Sequence, residues 1–163
     1  MVEVDITEEM ICLAKDKVKE MGNLNNSILN GSGSLAGFIG EQIFMNVLGG
    51  EWKNTYDYDV IISEKRIDVK TKQTTVKPKP YYDCSVASYN TKQKCDAYAF
   101  VRVKKDLSVG WLLGVKNKDT YFKESTFMKK GDVDPSNNFV VRADCYNLCI
   151  DKLDNSLWNW HLI

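Results

Sequence analysis

Residues 56–72, YDYDVIISEKRIDVKTK, hold two alternating runs rich in Val, Ile and Tyr, Tyr56 to Ile62 and Arg66 to Lys72, separated by the polar turn Ser63-Glu64-Lys65. Alternation of period two in β-branched and aromatic residues is the pattern of half-buried strands, so this stretch is expected to form a β-hairpin. With Glu64 and Lys65 as the central turn residues, Ile62 faces Ile67, Ile61 faces Asp68 and Asp59 faces Lys70. Asp59, Asp68 and Lys70 then share one face. The opposite face, with Tyr58, Val60, Ile62, Ile67, Val69 and Thr71, is a set suited to packing on a helix.

Such a helix is expected just upstream. Residues 34 to 48 are apolar on most sides, with Leu35, Phe38, Ile39, Ile43, Phe44, Val47 and Leu48, and Gly49-Gly50 ends the pattern. Glu41 lies among them, with Phe38, Phe44 and Leu48 at i−3, i+3 and i+7, so its face turns inward and its carboxylate requires a partner. Gly37 and Gly40 each cost a helix about 1 kcal/mol relative to Ala, which is understandable if the backbone approaches the sheet closely there. That approach would carry Glu41 to the hairpin.

The rest of the chain extends the same architecture. Residues 6 to 21 have apolar positions at helical spacing, with Asp5 and Glu8 placed as a capping box. Gly22 to Ser34 is rich in Asn, Ser and Gly and reads as a surface loop. Pro78 and Pro80 interrupt regular structure before strands expected at Tyr82 to Tyr89, Asp96 to Val103 and Val109 to Val115. A helix is expected over 119 to 129 and a strand over Phe139 to Ile150, while a tail with Trp158, Trp160, Leu162 and Ile163 docks on the core. No internal repeat or low-complexity linker divides residues 1–163, so the expectation is one α/β domain: a central mixed sheet of five or six strands flanked by helices.

Composition excludes several classes. With 44% hydrophobic and 11% aromatic residues, the chain is globular and not disordered. No stretch approaches the roughly 18–20 apolar residues that span a bilayer, and the first residues are acidic, so a cytoplasmic location is expected and no membrane partner. Five cysteines at irregular spacing argue for a reducing compartment. Cys145 and Cys149, four apart on a strand and so roughly 13 Å apart, are too distant to share an ion and read as buried small hydrophobes. His161 is the sole histidine, which removes histidine metal clusters and paired-histidine mechanisms. Gly31-Ser32-Gly33-Ser34 lacks the Lys and the preceding strand of a nucleotide-binding loop.

Paired carboxylates point to chemistry. Two close carboxylates repel unless a cation lies between them, and a hard divalent ion with oxygen ligands, such as Mg²⁺ with Mn²⁺ as a substitute, is the usual solution. Such an ion neutralises a phosphodiester's charge and lowers the pKa of bound water, while an adjacent Lys orients or deprotonates that water and stabilises the phosphorane. Tyr56-Asp57-Tyr58-Asp59 offers two acids on one strand face, and Asp59 is preferred over Asp57 because hydrophobic residues follow it directly.

The order Gly40-Glu41, Asp59-Val60-Ile61-Ile62 and Ile67-Asp68-Val69-Lys70 resembles the PD-(D/E)XK nuclease superfamily: a helix Glu, an Asp on the first hairpin strand, then an acid, any residue and Lys on the second. Tyr58 stands where the family often has Pro, and Asp68 where Glu is commoner. The resemblance covers roughly residues 34 to 104. It implies a restriction-endonuclease-like core and Mg²⁺-dependent cleavage of DNA, with RNA as the alternative substrate, by a stand-alone or homodimeric endonuclease. Asp59 and Asp68 would bind the ion, Glu41 would support it and Lys70 would assist the water.

Between Lys65 and Lys79 the chain carries six basic residues against the single acid Asp68, with Tyr81 and Tyr82 following. Lys72, Lys77 and Lys79 are the candidate DNA contacts, with Gln73 beside them as a polar candidate. The competing expectation is a non-catalytic nucleic-acid-binding or assembly module on the same fold. There the hairpin face is solvent-exposed, and Asp57 with Lys72 and Asp59 with Lys70 form ordinary cross-strand ion pairs.

Overall fold

In the computed structural model, which describes residues 1–21, 32–134 and 140–154, the hairpin forms with a different turn from the one expected. Its central residues are Ser63 and Glu64, both at positive φ (47° and 66°), and Ile62 pairs with Lys65, Ile61 with Arg66 and Val60 with Ile67. Positive φ at both central positions matches the right-handed twist of the flanking strands. The register is therefore two residues from the expected one, and a slip of two leaves every side chain on its own face.

In chain order the elements are β1 (Val2–Asp5), α1 (Glu8–Met21), α2 (Ser32–Leu48), β2 (Glu51–Trp52), β3 (Val60–Ile62), β4 (Lys65–Thr74), β5 (Asp83–Ala87), β6 (Ala97–Lys104), β7 (Val109–Asn117), α3 (Lys118–Glu124), β8 (Thr126–Met128) and β9 (Cys145–Cys149). Six strands form a mixed sheet in the order β1-β7-β6-β4-β3-β2, and three form a second sheet, β5-β9-β8. Only the β4–β6 pair in the larger sheet is parallel. Among the described residues no helix is long and apolar enough to cross a membrane.

Each face of the larger sheet has its own core. On one side Val60, Ile67, Val69, Ala99 and Val101 pack with Phe38, Ile39, Ile43 and Phe44 of α2 and with Met10 and Ala14 of α1. Each large side chain buried there stabilises the fold by about 1.5–3 kcal/mol. On the other side Tyr98, Phe100, Trp111 and Leu113 pack with Cys84, Val86 and Leu148 of the second sheet and with Tyr121 of α3. The Tyr121 hydroxyl donates to the Tyr146 carbonyl at 2.6 Å and lies 2.9 Å from the Cys84 carbonyl, so α3 ties β9 to β5.

Several elements differ from the sequence reading. Strand β1 was not expected; it pairs antiparallel with β7, Val2 opposite Leu112. Helix α1 starts at Glu8, with the Thr7 hydroxyl accepting the Met10 amide at 3.2 Å where Asp5 was expected to cap, because Asp5 is the last residue of β1. The helix expected over 119 to 129 ends at Glu124, since Thr126–Met128 pair with β9 instead. The strand expected over Phe139 to Ile150 narrows to Cys145–Cys149, where both cysteines are only half-buried. Of the loop expected over Gly22 to Ser34, residues 32–34 belong to α2, while 22–31 and the docking of the tail with Trp158, Trp160, His161, Leu162 and Ile163 lie outside the described residues.

Gly40 and Gly37 separate clearly. A Cβ on Gly40 would sit 1.9 Å from Thr71 Oγ1, so α2 crosses β4 at a distance only glycine permits. A Cβ on Gly37 would meet nothing within 4 Å, so the close approach expected at that glycine is absent.

Candidate active site

Strand β3 is only three residues long, and what precedes it shapes the site. The Asp59 amide still donates to the Ile67 carbonyl at 2.9 Å, but its carbonyl turns to the Lys53 and Asn54 amides, 2.7 and 3.0 Å away. Its carboxylate Oδ2 accepts the Val69 amide at 2.7 Å, taking the place a strand carbonyl would fill along β4. Asp59 thus caps the edge of β4 where its neighbour departs. Asp57 goes elsewhere: its carboxylate accepts the Lys94 amide at 3.0 Å.

Asp68 and Lys70 project from β4 on the face opposite Ile67 and Val69. Asp68 is 4% exposed, and Lys70 Nζ stands 2.6 Å from its Oδ2. That oxygen has no directed hydrogen bond, so the ion pair is close without satisfying it. Glu41 arrives from α2 with only 7% of its surface exposed and accepts the indole N–H of Trp52. The ionic pairs expected of an exposed hairpin face do not form: Lys70 pairs with Asp68 rather than Asp59, and Asp57 does not meet Lys72.

Electrostatics show that the acids crowd one another. Burial, the charges of Glu41 and Asp68, and proton sharing with Asp68 push Asp59 up to about 8, against the opposing pull of the Val69 amide. Burial pushes Glu41 up to about 7, with Asp68 adding to the rise and the Trp52 indole opposing it. Carboxyls so placed hold protons near neutrality unless a cation replaces them.

Two residues that pattern reading missed complete the surroundings. Gln93, 7% exposed, accepts Lys70 Nζ through Oε1 at 3.2 Å and donates through Nε2 to the Tyr56 carbonyl at 2.9 Å. It fixes the direction from which the ammonium approaches Asp68. Gln93 follows a 3-10 turn (Ser88–Lys92) and belongs to no periodic pattern, so no sequence signal marks it. Trp52 sits on a two-residue strand too short to register as one.

The expected DNA contacts divide. Lys72 lies two residues beyond Lys70 on the same face of β4. Gln73, on the other face, is exposed, and the glutamine that reaches the site is Gln93. Lys77 forms an ion pair with Glu3 at 2.8 Å, which draws it toward β1 at the far edge of the sheet from β3. Lys79 stands over the ring of exposed Tyr81.

No family model and no curated protein matches the chain. The site therefore stands on its own chemistry. Among the described residues no three His, Cys, Asp or Glu side chains form a ready-made ion cage. Glu41, Asp59 and Asp68 are instead neighbours, two of them with one oxygen held by an N–H donor, and Asp68 Oδ2 lacks a directed bond. An all-oxygen set of mutually repelling carboxyls fits a hard divalent cation, which would relieve the repulsion.

Proposed function

We propose that this protein is a Mg²⁺-dependent nuclease, an endonuclease of the PD-(D/E)XK type acting on DNA through a restriction-endonuclease-like core. The observation that carries the reading is the meeting of Glu41, Asp59, Asp68 and Lys70 where β3 leaves the edge of β4. Two buried acids, a third that is half-buried and one ammonium are expensive to place together, and a fold tolerates such a group where it is used.

Asp59 and Asp68 would hold the ion, Mg²⁺ or Mn²⁺, with Glu41 supporting it from α2. When bound, the ion supplies charge neutralisation at the scissile phosphate and a lowered pKa for coordinated water. Lys70, oriented by Gln93, hydrogen-bonds the attacking water or a non-bridging phosphate oxygen through Nζ and stabilises the charge that develops there. The Val69 amide holds Asp59 in place, and Asp68, which pairs with Lys70, would be the second acid to hold the ion.

The 2.6 Å pairing of Lys70 with Asp68 favours a second reading, in which the two are structural partners in a non-catalytic binding or assembly module. Nicking of supercoiled plasmid by the purified chain in Mg²⁺, Mn²⁺ or EDTA separates the two. Cleavage that needs the metal and drops by about 10²-fold or more in folded Lys70→Ala and Asp68→Asn supports the nuclease. Cleavage that is absent, or that survives in both variants, leaves the binding module.

A further inference from the structure

The parallel register of β4 with β6 sets Lys70 beside Phe100 and Lys72 beside Arg102. Alternate residues share a face, so these four project toward the second sheet. There they line a cavity of about 190 Å³, with Leu113 as a further apolar wall and Asp83 of β5 as its one acid. Lys70 belongs both to this lining and to the acid cluster, so the two adjoin.

The cations of this cavity are under-compensated. Arg102 is 8% exposed and donates through Nη2 to the Asp83 carbonyl at 2.7 Å, a neutral acceptor. Among the described residues neither Arg102 nor Lys72 forms an ion pair with a carboxylate. Burial and the charge of Arg102 both hold the Lys72 ammonium below its ordinary range. Asp83 compensates them only in part: burial and neighbouring Asp134 raise its carboxyl, against the pull of Lys72 and of the Cys149 thiol, which donates to its Oδ1 at 3.8 Å. A guanidinium and an ammonium facing one space against apolar walls make a strong site for a tetrahedral oxyanion, which would satisfy both at once.

We propose that this cavity is a phosphate-binding pocket in which Lys72 and Arg102 receive a phosphoryl group, next to the one that faces Asp68 and Lys70. Its role as a substrate subsite rests on the nuclease reading; its affinity for phosphate does not. The phosphoryl group comes either from a strand terminus or from within the strand, and both present the same oxygens to the pocket.

The test is calorimetric titration of the full chain in EDTA with inorganic phosphate, with a 5′-phosphorylated oligonucleotide and with its 5′-hydroxyl counterpart. The chain, Asp68→Asn and Lys72→Met are compared, each confirmed to be folded by circular dichroism; Met keeps the unbranched stem of Lys72 and removes its ammonium. Saturable phosphate binding retained in Asp68→Asn and weakened about tenfold or more in Lys72→Met is expected, as for the loss of one hydrogen bond to a charged group. Preference for the phosphorylated oligonucleotide identifies the terminal source, and equal affinity the internal one. Absence of saturable phosphate binding, or binding unchanged in Lys72→Met, overturns the pocket. Plasmid nicking distinguishes the two proposals: phosphate binding without nicking sinks only the nuclease, and nicking without phosphate binding sinks only the pocket.

Discussion

Replacing Asp59 by Asn should flatten the pH dependence of stability. The Asp59 carboxyl is pushed up to about 8 and that of Glu41 to about 7, from ordinary values of 3.8 and 4.5. Between those limits the folded chain keeps protons that the unfolded chain has released, so stability falls as pH rises from about 5 to about 8. Each retained proton gives a slope of ~1.4 kcal/mol per pH unit, so Asp59 alone sets a ceiling of ~3–4 kcal/mol across the window. Structural relaxation around the acids reduces this, and about 2–3 kcal/mol is expected, or roughly 5–10 °C in Tm for a chain of this size. Asn retains an acceptor for the Val69 amide and cannot ionise. Thermal melts in EDTA across the window should therefore show the native chain losing this much more than Asp59→Asn. Millimolar Mg²⁺ should restore the native chain at the alkaline end and leave the variant unchanged. Parallel pH profiles for the two proteins, or a native profile that is flat from about 5 to about 8, would refute the crowding of acids from which the site is argued.

Gly40→Ala should destabilise by about 1–3 kcal/mol because its Cβ would meet Thr71 Oγ1 at 1.9 Å, and pairing it with Thr71→Ala should recover much of the loss in urea unfolding. Gly37→Ala, which meets nothing within 4 Å, should instead stabilise the helix by up to about 1 kcal/mol. Gln93→Met, which keeps the bulk and removes the 3.2 Å contact to Lys70, should lower kcat roughly tenfold with KM unchanged, about 1.4 kcal/mol of lost positioning. A rise in KM with kcat intact would show that Gln93 only supports the surrounding loop.

The site was legible where a two-residue period governs it. The hairpin turns one residue earlier than the alternation suggests, yet Asp68 and Lys70 lie opposite Ile67 and Val69 because alternation along β4 does not depend on the turn, and a register shift of two keeps each β3 residue on its own face. Glu41 was legible from the apolar residues at helical spacing around it. What escaped was set by partners distant in the chain. The four residues of β1 acquire their role only from β7, and Phe127 and Met128 have helical spacing but are claimed by β9. Asp59 was expected on a strand and instead lies just before it, where a side-chain bond to Val69 replaces a backbone one. Gln93 and Trp52 act through single long-range contacts that no local period encodes.

The position of the acids follows from the two cores. An interior carboxylate is tolerated only where donors or water reach it, and a sheet covered on both faces offers such a place only along an exposed strand edge. Strand β3 ends its pairing at Val60, so among the described residues β4 from Val69 onward has β6 on one side and no strand on the other. That opening admits Glu41 from the helical side and Asp68 from the other, two side chains that a continuous sheet would keep apart. Closeness of α2, enforced by glycine at position 40, brings the first, and the capping bond of Asp59 to Val69 keeps β3 from extending over the second. Lengthening β3 by even one pair would supply Val69 with a backbone acceptor, free Asp59 and close the gap. The short strand is thus the structural condition for the charged cluster, and the cluster's repulsion is the stability that the fold forgoes to keep it.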